Sequence, residues 1–130
     1  MAYSGREFVT QSCLTGTVSG LLMSTVVGIV SRLTIGQSAP GLNAISHILW
    51  GEKATRQPTW TLRHTATGLL LNQVACLFWA GCFEVLWRRH RSHRVMSSAA
   101  DATTIAIVAY VVDYHVIPKR LTPGFEFLPV

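Results

Sequence analysis

The sequence predicts an all-α fold: an integral membrane helical bundle of three transmembrane helices plus one short re-entrant or interfacial helix, in a single domain over residues 1–130. Charged residues make up only 13% of the 130 residues, and they are segregated along the chain. Phe8 to Ser31 is a stretch of 24 residues without Lys, Arg, Asp or Glu, and His64 to Phe83 is a second stretch of 20. Because about 20 largely apolar residues suffice to cross a bilayer, both stretches are long enough.

Small or polar residues recur at every fourth position inside both stretches. Positions four apart lie one above the other on a helix, so each stretch has one smooth face among large apolar side chains. In lipid such a face favours close helix–helix packing, and Gly16-x-x-x-Gly20 is the recognised motif for it. The first stripe comprises Ser12, Gly16, Gly20, Ser24 and Gly28, and the second comprises His64, Gly68, Asn72, Cys76, Ala80 and Glu84.

The first span is predicted over residues 8–31 and is followed by Arg32. We expect it to be retained rather than cleaved as a signal peptide, because the apolar stretch is long and no A-x-A pattern follows it. A short helix is predicted over residues 40–51, which begin with a Pro-Gly turn signal. Its apolar side chains lie on one side and Asn43, Ser46 and His47 on the other, so a re-entrant or interfacial helix with Trp50 at headgroup depth is expected.

The second span is predicted over residues 64–87, a basic loop over 88–97 and the third span over 98–117. The third span is the weakest of the three, because Asp101, Asp113 and His115 interrupt it. Pro118 ends that helix. The tail of residues 118–130 is expected to lie along the interface or to fold back on the bundle.

The net charge of +5 is concentrated in one run directly after the second span. A basic run next to a span is typical of a topology signal and of a contact with anionic lipid headgroups. We therefore expect the basic loop and the N-terminus on the cytoplasmic side, and no nucleic-acid binding, since no recognition motif accompanies the charge. The residues concerned are Arg88, Arg89, Arg91 and Arg94.

The connection between the first two predicted spans is long, and we call it the long connection. The predicted topology brings four side chains of types that can bind metals to a similar depth on its side of the membrane. They are His47, His64, Asp113 and His115. Imidazole and carboxylate are ligands for zinc, copper or iron, and His is also an axial ligand of haem. Local hydrogen bonding of each group is the favoured interpretation, because the spacing matches no metal motif. No cofactor is predicted, and metal or haem binding is kept as the alternative.

Among the polar side chains within the predicted spans, four are candidates for a functional role: Asn72, Gln73, Glu84 and Asp113. For the two amides we expect interhelical hydrogen bonds, and for Glu84 an ion pair with Arg88 one turn away. Asp113 is expected to point inward, since it shares a predicted stripe with Ala102, Ala106 and Ala109. Because ionisable groups within a membrane are costly, a proton or ion pathway is a second alternative.

Several fragments together resemble a group of small uncharacterised bacterial inner-membrane proteins, over about residues 40 to 126. The fragments are Asn43–His47 with Trp50-Gly51, Arg63–Thr65 with Gly68, Phe78–Ala80 with Phe83-Glu84, and Asp113-Tyr114 with Pro118 and residues 120–126. The resemblance implies a bacterial inner-membrane location and this architecture, but no mechanism. It also implies a histidine where this chain has Asn72 or Gln73.

The sequence contains no nucleophile elbow, P-loop, H-E-x-x-H or dinucleotide fingerprint, so no catalytic residue is predicted. The favoured function is that of a non-enzymatic subunit or scaffold. Three spans bury little surface by themselves, so we expect a homo-oligomer or docking onto a larger membrane complex through the first stripe.

Overall fold

The computed structural model describes residues 4–89 and 95–128, and every regular element within these residues is helical. The five α-helices are α1 (Gly5–Ile35), α2 (Ala39–Ile45), α3 (His47–Trp50), α4 (Thr67–Arg89) and α5 (Val95–Val111). One π-helical turn, Leu62–Ala66, leads into α4, and another, Val112–Val116, follows α5. Short 3-10 turns occupy Glu52–Arg56, Lys119–Leu121 and Phe125–Phe127. The all-α prediction is confirmed.

The ends of α1 are set by local sequence signals that make it longer than the predicted span. Ser4 and Glu7 form a capping box, in which each side chain accepts a hydrogen bond from the other residue's backbone N–H. At the other end Gly36 adopts a left-handed conformation, with φ of 82°, and donates its N–H to the carbonyl of Arg32.

Two helices are long and apolar enough to cross a membrane: α1, and the continuous helix Leu62–Arg88 that contains α4. They pack side by side and antiparallel, with Phe8 near Arg88 and Gly16 near Leu77. The third predicted span is not shown, because α5 has 17 residues before its π-helical turn. Two of the three predicted spans are therefore supported, and the third stays a prediction.

The distribution of side chains is inverted relative to a protein folded in water. Among the described residues, the buried set holds ten polar or charged residues and seven hydrophobic ones. Large apolar side chains lie instead on the outside of α1 and α4, with Leu33 79% exposed and Leu22 and Phe78 each 62% exposed. α1 and α4 bury few of their own residues, whereas the core helix of a water-soluble domain is mostly buried.

The short helix α2 is buried on all sides, between α1 and α4. The expectation of an amphipathic helix with a polar side was wrong, since Asn43, Ser46 and His47 are as buried as Leu42 and Ile45. The reason is that other segments of the chain supply hydrogen-bond partners for the polar side. The helix is therefore enclosed by protein, as a re-entrant segment is, and exposure begins beyond it, at Leu49 and Trp50.

Helix α5 packs chiefly against α4. Its least exposed positions in the middle of the helix are Asp101, Ile105 and Ala109, which are spaced by four and so face α4. Ala102 and Ala106 are exposed, so the predicted inward stripe through them was wrong. Alanine is compatible with either the buried or the exposed side of a helix. The larger Ile105 therefore determines which side of α5 faces α4.

The predicted basic loop is shorter than residues 88–97, because α4 continues to Arg89 and α5 begins at Val95. Arg88 and Arg89 consequently lie in the last turn of α4. The expected lipid contacts of Arg91 and Arg94 fall outside the described residues.

Candidate functional site

The two predicted stripes meet each other within this chain, along the contact between α1 and α4. Gly16 lies against the α4 backbone, where an added Cβ would come 2.7 Å from the Cα of Leu77 and 3.2 Å from the carbonyl oxygen of Cys76. Gly20 lies against the side chain of Gln73. The small residues of the first stripe thus allow the backbones to approach. This face is covered by α4, so the expected docking of another molecule through it is not what the structure shows.

Two side-chain amides of α4 bond α1 across this contact. Asn72 donates its Nδ2 to the carbonyl oxygen of Gly20, at 3.1 Å, and to the hydroxyl of Ser24, at 3.0 Å. Gln73 donates its Nε2 to the carbonyl oxygen of Gly16 at 3.1 Å. The carbonyl oxygens of Gly16 and Gly20 lie within α1, where they also accept the hydrogen bonds of that helix. They are accessible to α4 because glycine has no side chain to cover them. The amides therefore fix the register of the two helices.

Asn43 connects three segments: α2, the loop of residues 57–61 and the π-helical turn Leu62–Ala66. We call these segments together the corner. Its Nδ2 donates to the carbonyl oxygens of Gln57 and Thr59, both at 2.9 Å, and its Oδ1 accepts from the hydroxyl of Thr65 at 2.6 Å. With no exposed surface, this amide satisfies both its donor and acceptor groups inside the protein. Sequence reasoning missed this role, and its one signal was an Asn in an otherwise apolar short helix.

The same corner approaches α4 and the C-terminal tail very closely. Gly68, on the second stripe, lies directly against the carbonyl oxygen of Leu42. Gly124 has a φ of 83°, and an added Cβ there would lie 2.6 Å from both the carbonyl oxygen of Ala44 and Nδ1 of His47. A side chain at either position would separate the elements.

The predicted ligand His47 is buried and both of its ring nitrogens face carbonyl oxygens. Nδ1 lies 2.8 Å from the oxygen of Ala44, and Nε2 lies 3.2 Å from the oxygen of Lys119. The ring thereby joins the start of α3 to the tail. Its role in the structure is to dock the tail on the corner.

The other three predicted ligands have separate local surroundings. Nδ1 of His64 pairs with the hydroxyl of Thr61 at 3.0 Å, and the ring of His115 lies 5.6 Å from that of Tyr110. Asp113 is half-buried in the π-helical turn after α5. Across residues 4–89 and 95–128, no three His, Cys, Asp or Glu residues form a group that could hold a metal ion. The four residues therefore do not converge on a metal site.

Polar side chains are also buried at the other end of the bundle, where α4 ends and α5 begins. Glu84 is 7% exposed and Asp101 is 5% exposed, although both carry carboxylates. The guanidinium of Arg88 lies over the ring of Phe8, 4.5 Å from its centroid, and so caps the contact between α4 and α1. Arg88 is half-buried and packs within the protein, which limits its predicted contact with lipid headgroups.

Tryptophan and arginine side chains mark the end of the bundle near the long connection. The guanidinium of Arg63 lies 4.2 Å from the ring centroid of Trp50, whose Nε1 donates to the carbonyl oxygen of Arg63 at 3.1 Å. Trp60 donates its Nε1 to the hydroxyl of Ser38 at 3.2 Å. Indole rings held in this way resemble the aromatic belt found where membrane proteins meet lipid headgroups.

Comparison of the chain with protein-family models, with curated proteins and with solved structures finds no match. The resemblance to small bacterial inner-membrane proteins accordingly stays a prediction. The functional argument rests on the geometry of the chain itself.

Proposed function

We propose that this chain is a small polytopic membrane protein that acts as a non-enzymatic subunit or scaffold. The observation that carries the proposal is the inverted distribution of side chains. Leu, Val and Ile cover the outside of α1 and α4, while Asn43, Asn72 and Glu84 lie inside. In water such a surface would promote aggregation, whereas in a bilayer it meets hydrocarbon, and the polar groups find partners within the protein.

The proposed arrangement has three spans in a bacterial inner membrane, with the N-terminus and the basic run on the cytoplasmic side. The first two spans are α1 and α4, and the third is α5 with its π-helical turn, Val112–Val116. Together these two last elements cover 22 residues, or about 33 Å of helix, which matches the hydrocarbon thickness. Trp50 and Trp60 would then lie at headgroup depth on the side of the long connection.

A structural role is supported by what the buried polar side chains bind. Asn43, His47, Asn72 and Gln73 each contact a backbone carbonyl of a different segment. They hold elements together and do not line a common cavity. The alternatives of metal or haem binding and of an ion pathway lack comparable support within the described residues, since no three His, Cys, Asp or Glu residues converge there, and Asn72 and Glu84 lie about 18 Å apart along α4.

The surface that we propose for a partner helix is on α5, roughly 90° around the helix from the side that faces α4. Three exposed alanines, Ala99, Ala102 and Ala106, lie within one narrow arc there, and we call them the alanine face. Small residues allow a second helix to approach closely in lipid, and here nothing in the described chain covers them. This face replaces the first stripe as the proposed site of self-association or docking.

Two measurements test this proposal. Alkaline carbonate extraction should leave the protein in the membrane fraction, and release into the supernatant would contradict a membrane function.

Crosslinking in native membranes should give a species larger than the 14.3 kDa chain. Replacing Ala102 and Ala106 together by Phe should abolish that species, while Leu22→Phe on the outside of α1 should not. A wild-type chain that crosslinks to nothing would contradict the subunit or scaffold role.

A further inference from the structure

An elongated groove of about 600 Å³ runs along the outer surface of α1, on the side of the long connection. We call it the Arg32 groove, after the one charged residue in its lining. Its walls are mainly apolar, with Leu21 and Ile29 from α1 and Leu69 from α4, and Ser38 and Trp60 close its polar end. The volume falls within the range of small-molecule sites in proteins.

The charge in this groove has no counter-ion among the residues that the structure describes. Arg32 is exposed in the last turn of α1, and within the described residues its side chain makes no hydrogen bond or ion pair. No acidic residue lines the groove. The indole N–H of Trp60 is already used by Ser38, so the guanidinium is the group left to bind an anion. An occupant of the groove would therefore carry negative charge at this end.

The length of the groove indicates the size and chemical nature of the uncharged part of the occupant. From Leu21 to Arg32 the helix rises about 16 Å, at 1.5 Å per residue. Half of the hydrocarbon core of a bilayer is about 15 Å. The apolar part of the groove thus covers the depth of one leaflet, and the cation lies where that leaflet's headgroups begin.

We propose that the Arg32 groove binds one anionic phospholipid, with its phosphate on Arg32 and one acyl chain along Leu21, Ile29 and Leu69. This inference rests on the proposed function, because it needs α1 to span the bilayer. Nearby Lys53, Arg56 and Arg63 outnumber Glu52 in the same connection, which raises the positive potential around the headgroup. The site differs from the predicted lipid contacts of the basic run, which follow the second span.

The test uses the full-length protein purified in mild detergent and titrated with phosphatidylglycerol or phosphatidylcholine of the same acyl chains, with bound lipid counted by native mass spectrometry. The wild type should retain phosphatidylglycerol in preference. Arg32→Gln should weaken that binding about fivefold, the effect expected from one cation near a headgroup. Arg6→Gln removes the same charge from an exposed position at the other end of α1 and should leave binding unchanged.

A second variant tests the acyl-chain part. Gly28 lines the groove, and a Cβ there would meet only Ser38, at 4.0 Å, so Gly28→Leu fills the groove while the fold is kept. It should reduce retention of both lipids, at an unchanged thermal unfolding temperature. Equal lipid retention by Arg32→Gln and Arg6→Gln, or by Gly28→Leu and wild type, would overturn the inference. So would a dimer that Gly28→Leu dissociates, since a second copy would then occupy the groove.

Carbonate extraction of the membranes from which the protein is purified separates this inference from the proposed function. A wild type that stays in the membrane but shows no lipid preference overturns the lipid site alone. A wild type that carbonate releases overturns the proposed function, and the lipid site with it.

Discussion

Thr65 donates its hydroxyl to the side-chain oxygen of Asn43 at 2.6 Å, and both residues are buried. The bond ties the first π-helical turn to α2, which lies 22 residues earlier in the chain. Because the amide of Asn43 also holds the carbonyls of Gln57 and Thr59, one side chain fixes the path of the whole connection between α1 and α4.

Replacing Thr65 by Val should lower the free energy of unfolding by about 1–3 kcal/mol, because it leaves the oxygen of Asn43 buried without a donor. The change preserves the shape of the side chain. Thermal unfolding in detergent, followed by circular dichroism, measures the loss. Thr103→Val is the matched control, since that exposed hydroxyl bonds only its own helix, and it should change stability by less than about 0.5 kcal/mol. Equal stability of the two variants would contradict the role given to Thr65.

Gly16→Ala should destabilise the pair of α1 and α4 more than Gly20→Ala does. The new methyl at Gly16 would meet the backbone of Leu77, which cannot move alone, whereas at Gly20 it would meet the flexible end of Gln73. We expect a loss of about 1–3 kcal/mol at Gly16, measured as a lower unfolding temperature.

Gly81→Ala provides the control for these variants, because a Cβ at this helical position meets no atom within 4 Å. It should stabilise the protein by about 0.5–1 kcal/mol, as expected for Gly to Ala within a helix. A destabilising Gly81→Ala, or a neutral Gly16→Ala, would refute the packing described for this contact.

Asn72→Leu and Gln73→Leu should each lower stability through loss of interhelical hydrogen bonds, by about 0.6–2 kcal/mol. The larger effect is expected for Asn72, which donates two bonds where Gln73 donates one. Val74→Leu, on the exposed side of α4, should leave the unfolding temperature unchanged. Reversal of the order of the two amides would show that the bonds do not set the register.

Gly124→Ala should detach the C-terminal tail from the corner. Both Gly124 and Gly36 have positive φ, so an alanine costs about 1–2 kcal/mol of backbone strain at either position. Only at Gly124 does the methyl also collide with the protein, at Ala44 and His47. Trypsin should therefore cleave next to Lys119 and Arg120 faster in Gly124→Ala than in Gly36→Ala. Equal cleavage rates would argue against docking of the tail through this glycine.

The sequence was informative where a pattern acts within one helix. Charge-free stretches and a four-residue period of small residues predict α1 and α4, because both features report directly on helical geometry in lipid. The register between these helices follows from Asn72 and Gln73, whose amides need partners in a membrane.

Contacts between segments far apart in the chain were not predictable in this way. Asn43 and His47 resemble the polar side of an interfacial helix, and only the positions of Thr59 and Lys119 show that they are buried. Likewise the rotation of α5 depends on Ile105 against α4, and a run of alanines carries no preference between its two sides. The alternative of a shared metal site for His47, His64, Asp113 and His115 is not supported among the described residues for the same reason, since similar depth does not determine direction.

The long reach of His47 has a consequence for how the chain is assembled during synthesis. Its partner Lys119 lies 72 residues downstream, so the tail can dock on His47 only after residue 119 has been synthesised. Until then Nε2 of His47 lacks this partner, whereas the partners of Asn43 lie only 14 to 22 residues downstream of it and are synthesised much earlier. A nascent chain arrested before residue 119 would therefore keep the bonds of Asn43 but leave His47 without the tail that covers it.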